Sequence, residues 1–366
     1  MLKKTALHQL HTDLGAKMGE FAGYDMPLYY DEGVIKEHEW VRSSCGLFDV
    51  SHMGQAMVKG SGALDFIQHI TPSSFEKLGI DRTKYTVLTN PEGGIIDDLM
   101  VTNTGDDSFH FVINAGCKDK DIAWMKQHLT EGLEFTYFDD WALLALQGPK
   151  AENVMRDVLD IDLSDMPYMS IRAENNGKMY ISRLGYTGED GFELAVKNTD
   201  AADLAKKLLA HEAVKPIGLA ARDSLRLEMG YALYGHEITA ETSPVEANMV
   251  WVIGKSRNGY LGHERIQKDL SQGVDRKLVG IKLTDKGIAR DGAEIRNEAD
   301  EIVGILTSGG YSPTLKESIG IGYVETALAN SGQKIFVNVR GRNIAAIVAD
   351  LPHVPASTKS MKKKAA

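Results

Sequence analysis

The chain has 366 residues, of which 43% are hydrophobic and 25% charged, and 41 Lys and Arg against 51 Asp and Glu give a formal net charge of −10. That length exceeds what one hydrophobic core usually serves, so two or three domains are expected, with the composition of an ordinary soluble globular protein rather than a fibrous or disordered one. The acidic balance disfavours indiscriminate binding to nucleic acid or anionic lipid, and no apolar run approaches the roughly 20 residues that span a bilayer.

In chain order, residues 1–7 carry neither a signal-peptide nor a transit-peptide pattern, so a cytoplasmic location is expected. Residues 31–44 predict an amphipathic helix, with Ile35 and Val41 against Glu32, Lys36, Glu37, Glu39 and Arg42. Strands follow at 47–51 and 55–60, then a short helix at 63–70. From 84 to 113 the pattern is a β-meander, with strands at 85–88, 95–101 and 109–113 and turns at Asn90-Pro91-Glu92-Gly93-Gly94 and Thr104-Gly105-Asp106-Asp107. A helix at 119–129 follows. Strands mixed with helices in this order point to an α+β fold rather than a wound parallel sheet.

A buried strand at 141–146 stops at Gly148-Pro149, and a helix covers 151–159. Strands at 179–183 and 191–196 flank a glycine-rich turn, and helices are predicted at 200–211 and 218–229. The polar stretch 255–274 reads as a link into a final domain, where 277–352 predicts strands at 278–283, 301–307, 319–324, 335–339 and 344–349. That spacing suits a small sandwich or barrel. The cysteines, Cys45 and Cys117, lie in apolar stretches and fit buried small side chains in a reducing compartment rather than a disulfide. The basic tail around Lys359 and Lys362-Lys363-Lys364 reads as a frayed solvated terminus.

Three segments carry chemistry. Asp97-Asp98 interrupts an apolar strand, although aspartate is depleted in strands. Alternation sends the two carboxylates to opposite faces, so one can line a cleft while the other meets solvent or a structural partner. An apolar wall from Leu99 or Met100 would raise the carboxyl pKa and nearby donors would lower it, so the sign stays open. Gly185-Tyr186-Thr187-Gly188-Glu189-Asp190-Gly191-Phe192-Glu193 is too acidic for a phosphate loop and suits a donor-rich ligand edge; Glu189-Asp190 reads as a solvated turn. On the third segment Ala221, Leu225 and Met229 form a core stripe, while Arg222 and Arg226 share another face and need acids or an anionic ligand to answer them. Asp223 or Glu228 is the expected structural partner of Arg226. His52 stands outside any clustered His/Cys spacing, so no metal site is expected, and Gly320-Ile321-Gly322 alone does not make a dinucleotide site.

These segments, together with Phe21-Ala22-Gly23-Tyr24, Cys45-Gly46-Leu47-Phe48-Asp49-Val50-Ser51-His52-Met53, Ala145-Leu146-Gln147-Gly148-Pro149, Leu233-Tyr234-Gly235 and Thr307-Ser308-Gly309, closely resemble the aminomethyltransferase family, the T protein of the glycine cleavage system, in order along nearly the whole chain. The resemblance implies a three-domain cloverleaf around a central folate cavity, with a folate-binding region of two interleaved α+β lobes at 1–265 and a C-terminal β-barrel-like domain at 277–358. It implies tetrahydrofolate as co-substrate and the lipoylated H protein as partner, with ammonia and 5,10-methylenetetrahydrofolate as products. Asp98 matches the family's catalytic aspartate, Glu193 its folate-contacting glutamate and Arg222 a substrate-contacting arginine; Tyr85, Met53 and Tyr234 match positions near the folate, while Tyr186 can pack near the ligand ring or serve as a core aromatic. One carboxylate can accept from the amino group and ring N–H of a pterin together, as it does from a guanidinium. Some relatives end in a tyrosine-containing segment that reaches the ligand, whereas this chain has no tyrosine after Tyr323. The alternatives are a folate-dependent demethylase or the folate-binding half of a sarcosine-type oxidase on the same fold, or a non-catalytic assembly factor. The cysteine motif of the assembly factors is replaced here by Leu184-Gly185-Tyr186-Thr187-Gly188-Glu189.

Overall fold

The computed structural model describes residues 1–359, so of the basic tail only Lys359 is seen; residues 360–366 lie outside the described residues. Eleven strands form one long sheet whose two halves meet at a single residue pair, Ser170 with Arg82. One half contains Arg82–Thr89, Ile95–Gly105, Ser108–Ile113, Gly54–Lys59 and Glu134–Tyr137. The other contains Ser170–Glu174, Met179–Arg183, Gly191–Lys197, Trp141–Gln147, Cys45–Asp49 and Val214–Pro216, of which only the last pairs in parallel. Six further strands from Arg276 to Ala349 close into a barrel. The α+β class with a C-terminal barrel therefore agrees with the sequence reading.

Each half-sheet buries one face under helices because its strands alternate. Leu88, Leu99, Val101 and Phe111 pack under the helices Ala63–Ile70 and Lys118–Gln127. Leu144, Leu146, Phe192 and Leu194 do the same under Ala151–Leu159 and Asn198–Leu209. On the opposite face of the second half, Leu143, Ala145 and Ala195 meet Ala221 and Leu225 of the helix Leu219–Met229, so this helix projects its polar side chains towards the middle of the molecule.

The structure departs from the sequence reading in two kinds of place. The stretch 255–274, read as a link, contains the helix His263–Gln272; its one fully buried residue is Ile266, too little apolar signal to mark a helix, and Arg265 ties it to Glu246 at 2.8 Å. The strands Glu134–Tyr137, Val214–Pro216 and Glu294–Arg296 and the hairpin Lys17–Phe21/Tyr24–Tyr29 were not anticipated, being short and only partly buried.

Glu228 joins these bodies. It is fully buried (0% exposed), and its carboxylate accepts from Arg42 at 2.7 Å, from the Ser312 hydroxyl at 2.5 Å and from the backbone and hydroxyl of Thr314 at 3.1 and 2.9 Å, with His38 at 3.2 Å. Burial works against the charge, but these donors hold the carboxyl down at about 2. Glu228→Leu should therefore destabilise the chain by about 3–5 kcal/mol, because Arg42 and its neighbours lose their acceptor inside the protein. Urea denaturation checks this, and an unchanged midpoint and slope would contradict the role of Glu228 as the clamp between barrel and lobes.

Candidate active site

The acidic strand Ile95–Gly105 starts where Gly94 lies so close to the carbonyl of Ala240 that an added Cβ would sit 1.6 Å from that oxygen. Only glycine allows this approach, which lets Ile95 N–H donate to Thr239 and Thr242 and fixes the start of the strand. Alternation then sends the two aspartates apart. Asp98 pairs in register with Val87 and shares a face with Tyr85, Thr83, Met100 and Thr102, whereas Asp97 pairs with Leu88 on the helix-covered face. Asp97 thus meets the core rather than solvent.

Asp98 is 8% exposed. The Asn114 side-chain amide donates to Asp98 Oδ1 at 2.9 Å, to the Asp98 carbonyl at 2.9 Å and to Asp97 Oδ1 at 3.1 Å, so a single amide holds both carboxylates. Leu99 pairs with Ile113, which brings the next residues, Asp98 and Asn114, opposite each other. Desolvation, reinforced by the charge of Asp97, pushes the Asp98 carboxyl up to about 7, against the donors Tyr85 and Asn114.

Glu193 comes from the other half-sheet, on the face shared with Ser182 and Ala195, and lines the cleft that also contains Met100, Thr102, Val112 and Leu143. It is 6% exposed and accepts no hydrogen bond from any described residue. Burial raises its carboxyl, and the cation of Arg222 opposes that shift. Arg222 has a buried Nη1 without a partner among the described residues and lies over the Tyr186 ring at 4.9 Å. Tyr186 stacks on Tyr231 at 5.5 Å and donates its hydroxyl to the Ala232 carbonyl, so its ring is a fixed platform. Burial raises the phenols of both Tyr85 and Tyr186, and the charge of Asp98 adds to it. Asp98, Tyr85, Tyr186, Arg222 and Glu193 are therefore brought into one electrostatic neighbourhood.

The remaining residues singled out from sequence are placed differently. Met53 is half-buried against the core of Phe48 and Val50, next to His52, whose ring is held edge-on to Phe21 and neutral by burial. Tyr234 lies under Lys120 Nζ at 3.8 Å. Arg226 does pair with Asp223 at 2.8 Å, but its second acid is Glu237 at 3.0 Å; Glu228 belongs to Arg42 instead. Glu189-Asp190 is not a solvated turn: Glu189 is buried on Arg42 at 2.9 Å, and Asp190 grips the fully buried Arg183. At Gly188 a positive φ, with Met229 Sδ 2.1 Å from the position of an added Cβ, presses this loop onto the helix Leu219–Met229. Ser357 N–H donates to the Gly188 carbonyl at 2.7 Å, so the chain beyond the barrel crosses the same loop.

Comparison with known proteins shows the family. A family model described as the GCVT N-terminal domain matches residues 7–257, and the glycine cleavage T-protein C-terminal barrel domain matches 276–354. The chain belongs to the aminomethyltransferase family. The mitochondrial aminomethyltransferase of Dictyostelium discoideum is 40% identical, over 98% of this chain and 94% of its own. That of Bacteroides thetaiotaomicron is 43% identical, over 96% and 99%. The crystal structure of glycine cleavage system aminomethyltransferase T from Bartonella henselae superposes with a TM-score of 0.94 at 37% identity, covering 98% of this chain and 99% of that one.

For an aminomethyltransferase the residue the sequence reading missed is Asn114. Its signal was present: an amide at the end of a strand predicted to pair beside the acidic strand. The ionisation of Asp98 has a thermodynamic signature. A carboxyl raised to about 7 in the folded chain, from an ordinary value of 3.8, penalises the fold as pH rises through that window. Asp98→Asn keeps the acceptor for Asn114 and removes the charge, so it should raise the melting temperature by about 2 °C or more at pH 8, and the gain should shrink towards pH 4. Calorimetry at the two pH values measures this, and a variant melting below the parent at pH 8 would contradict the buried, raised carboxyl.

Proposed function

We propose that the chain transfers the aminomethyl carbon of S-aminomethyl-dihydrolipoyl H protein to tetrahydrofolate, releasing ammonia and yielding 5,10-methylenetetrahydrofolate and the dihydrolipoyl protein. In this reading residues 1–265 carry the transfer chemistry and 277–358 form the barrel domain that Glu228 clamps against them. The observation that carries it is the cleft-lining Glu193 carboxylate, which accepts no hydrogen bond from a described residue, within the field of Arg222, whose buried Nη1 has no partner there either. A carboxylate that borders a cleft without a protein donor keeps its acceptors available to a ligand, and the amino and ring N–H edge of a reduced pterin supplies two donors. Arg222, stacked on Tyr186, offers a planar donor to an acceptor on the same ligand.

Folate supplies the amine nitrogen that accepts the carbon. The chain holds that ligand through Glu193 and Arg222, with Tyr85 and Tyr186 as the surrounding walls. As the carbon–sulfur or carbon–nitrogen bond breaks, the carbon gains positive charge, and the Asp98 carboxylate, fixed by Asn114, is a preorganised anion beside it. A carboxyl raised to about 7 can also exchange a proton near neutral pH.

Release of ammonia from aminomethylated H protein, measured with and without tetrahydrofolate, tests the assignment; release independent of either partner would contradict it. Asp98→Asn should retain folate affinity and lose more than about 10-fold in turnover, and unchanged turnover would remove Asp98 from the chemistry. Turnover of the parent should climb as pH passes about 7, when the required carboxylate ionises. Glu193→Ala should chiefly weaken folate binding; a normal dissociation constant by titration would count against the pterin contact.

A further inference from the structure

Behind Asp98, on the covered face of the same strand, Asp97, Cys117 and Asp121 bring their polar atoms within 4.8 Å of one another, all buried. Asp97 and Asp121 are both 0% exposed. Asp97 Oδ2 and both oxygens of Asp121 have no hydrogen-bond partner among the described residues. Two ionised carboxylates cannot stay this close without water or a counter-charge. The charged or titratable groups facing them are few. Lys120 Nζ is 3.7 Å from Asp121 Oδ1, but it is half-exposed, donates to the Ile96 carbonyl and lies over Tyr234. The Cys117 thiol is kept protonated by burial and by both acids. Asp98 adds a third negative charge beyond the Asn114 bridge.

We propose that Asp121 and Asp97 share one proton, Asp121 as the acid donating to Asp97 Oδ2, and that this buried pair positions Asp98 for its reaction through the Asn114 amide. A single proton resolves two of the three orphan positions at once: it turns two facing acceptors into an O–H···O bond and removes one charge from the cluster, which leaves one neutral carbonyl oxygen of Asp121 unpaired in place of a buried anion. Asp97 is then held between the Asp121 hydroxyl and the Asn114 amide, and that amide in turn fixes the Asp98 carboxylate. Burial and the neighbouring Asp97 push Asp121 up to about 10, in keeping with an acid that stays protonated at neutral pH. Asp121 is thus a positioning residue, and its role in turnover rests on the aminomethyl-transfer reading; the shared proton itself does not.

Carbon-13 titration of the aspartate carboxyls in the full chain without substrate tests the proton directly. The resonance lost in Asp121→Asn should remain that of a protonated acid up to about pH 8, before and after chelation. Titration of that carboxyl in the ordinary acid range, or a signal that moves on adding chelator because a cation held the pair, would overturn the proposal. The pH profile of turnover tests the consequence for Asp98. Asp121→Asn mimics the neutral acid and keeps a donor, so the acidic limb should stay in place, whereas removal of an ionised Asp121 would lower it by about half a unit or more. Asp121→Leu, which removes the donor, should lose about 10-fold in turnover while binding folate normally, and full activity in this variant would show that the pair positions nothing.

Discussion

The whole arrangement depends on keeping carboxyl groups out of water, and on how completely each is compensated. Burial acts in the same direction on Glu228, Asp98, Glu193 and Asp121. The outcome differs because the donors differ. Glu228 accepts from four residues and is held at about 2, a permanent anion that fastens the barrel to the lobes. Asp98 has the Asn114 amide and the Tyr85 phenol against a negative neighbour, and is left near neutrality in its ionisation, at about 7. Glu193 receives no donor from the described residues and faces a cleft. The first pattern is what a structural ion pair needs, and the other two leave capacity for a ligand and a proton.

The site exists because two half-sheets, each covered on one face, turn their other faces inward. The face of Ile95–Gly105 that carries Asp98 and the face of Gly191–Lys197 that carries Glu193 both line the middle of the molecule, and the helix Leu219–Met229 delivers Arg222 between them. Its neighbour Arg226 is consumed by Asp223, Glu237 and the Ser308 hydroxyl, which ties the same helix to the barrel. One turn of helix therefore separates a guanidinium with an unpartnered Nη1 beside Tyr186 from a satisfied one that ties the helix to the barrel.

Much of this was legible beforehand, for identifiable reasons. Period-2 alternation separated Asp97 from Asp98, and strong apolar periodicity marked Ala63–Ile70 and Ala151–Leu159 to the residue. What could not be read was pairing across the sequence. Glu189 and Asp190 look like a solvated turn because their partners, Arg42 and Arg183, are supplied by other segments. Asp121 sits on a polar helix with little amphipathic signal, and only the fold brings it against Asp97. The helix His263–Gln272 escaped notice because it is held by Arg265 and one buried isoleucine rather than by an apolar face.

The most direct trial of the central claim is a crystal structure of the chain with a reduced folate bound. The account predicts the pterin edge on Glu193 and Arg222 and an Asp98 oxygen in contact with the part of the ligand that receives the carbon. A folate bound elsewhere, or an Asp98 side chain turned out of the cleft with no other acid in its place, would contradict it.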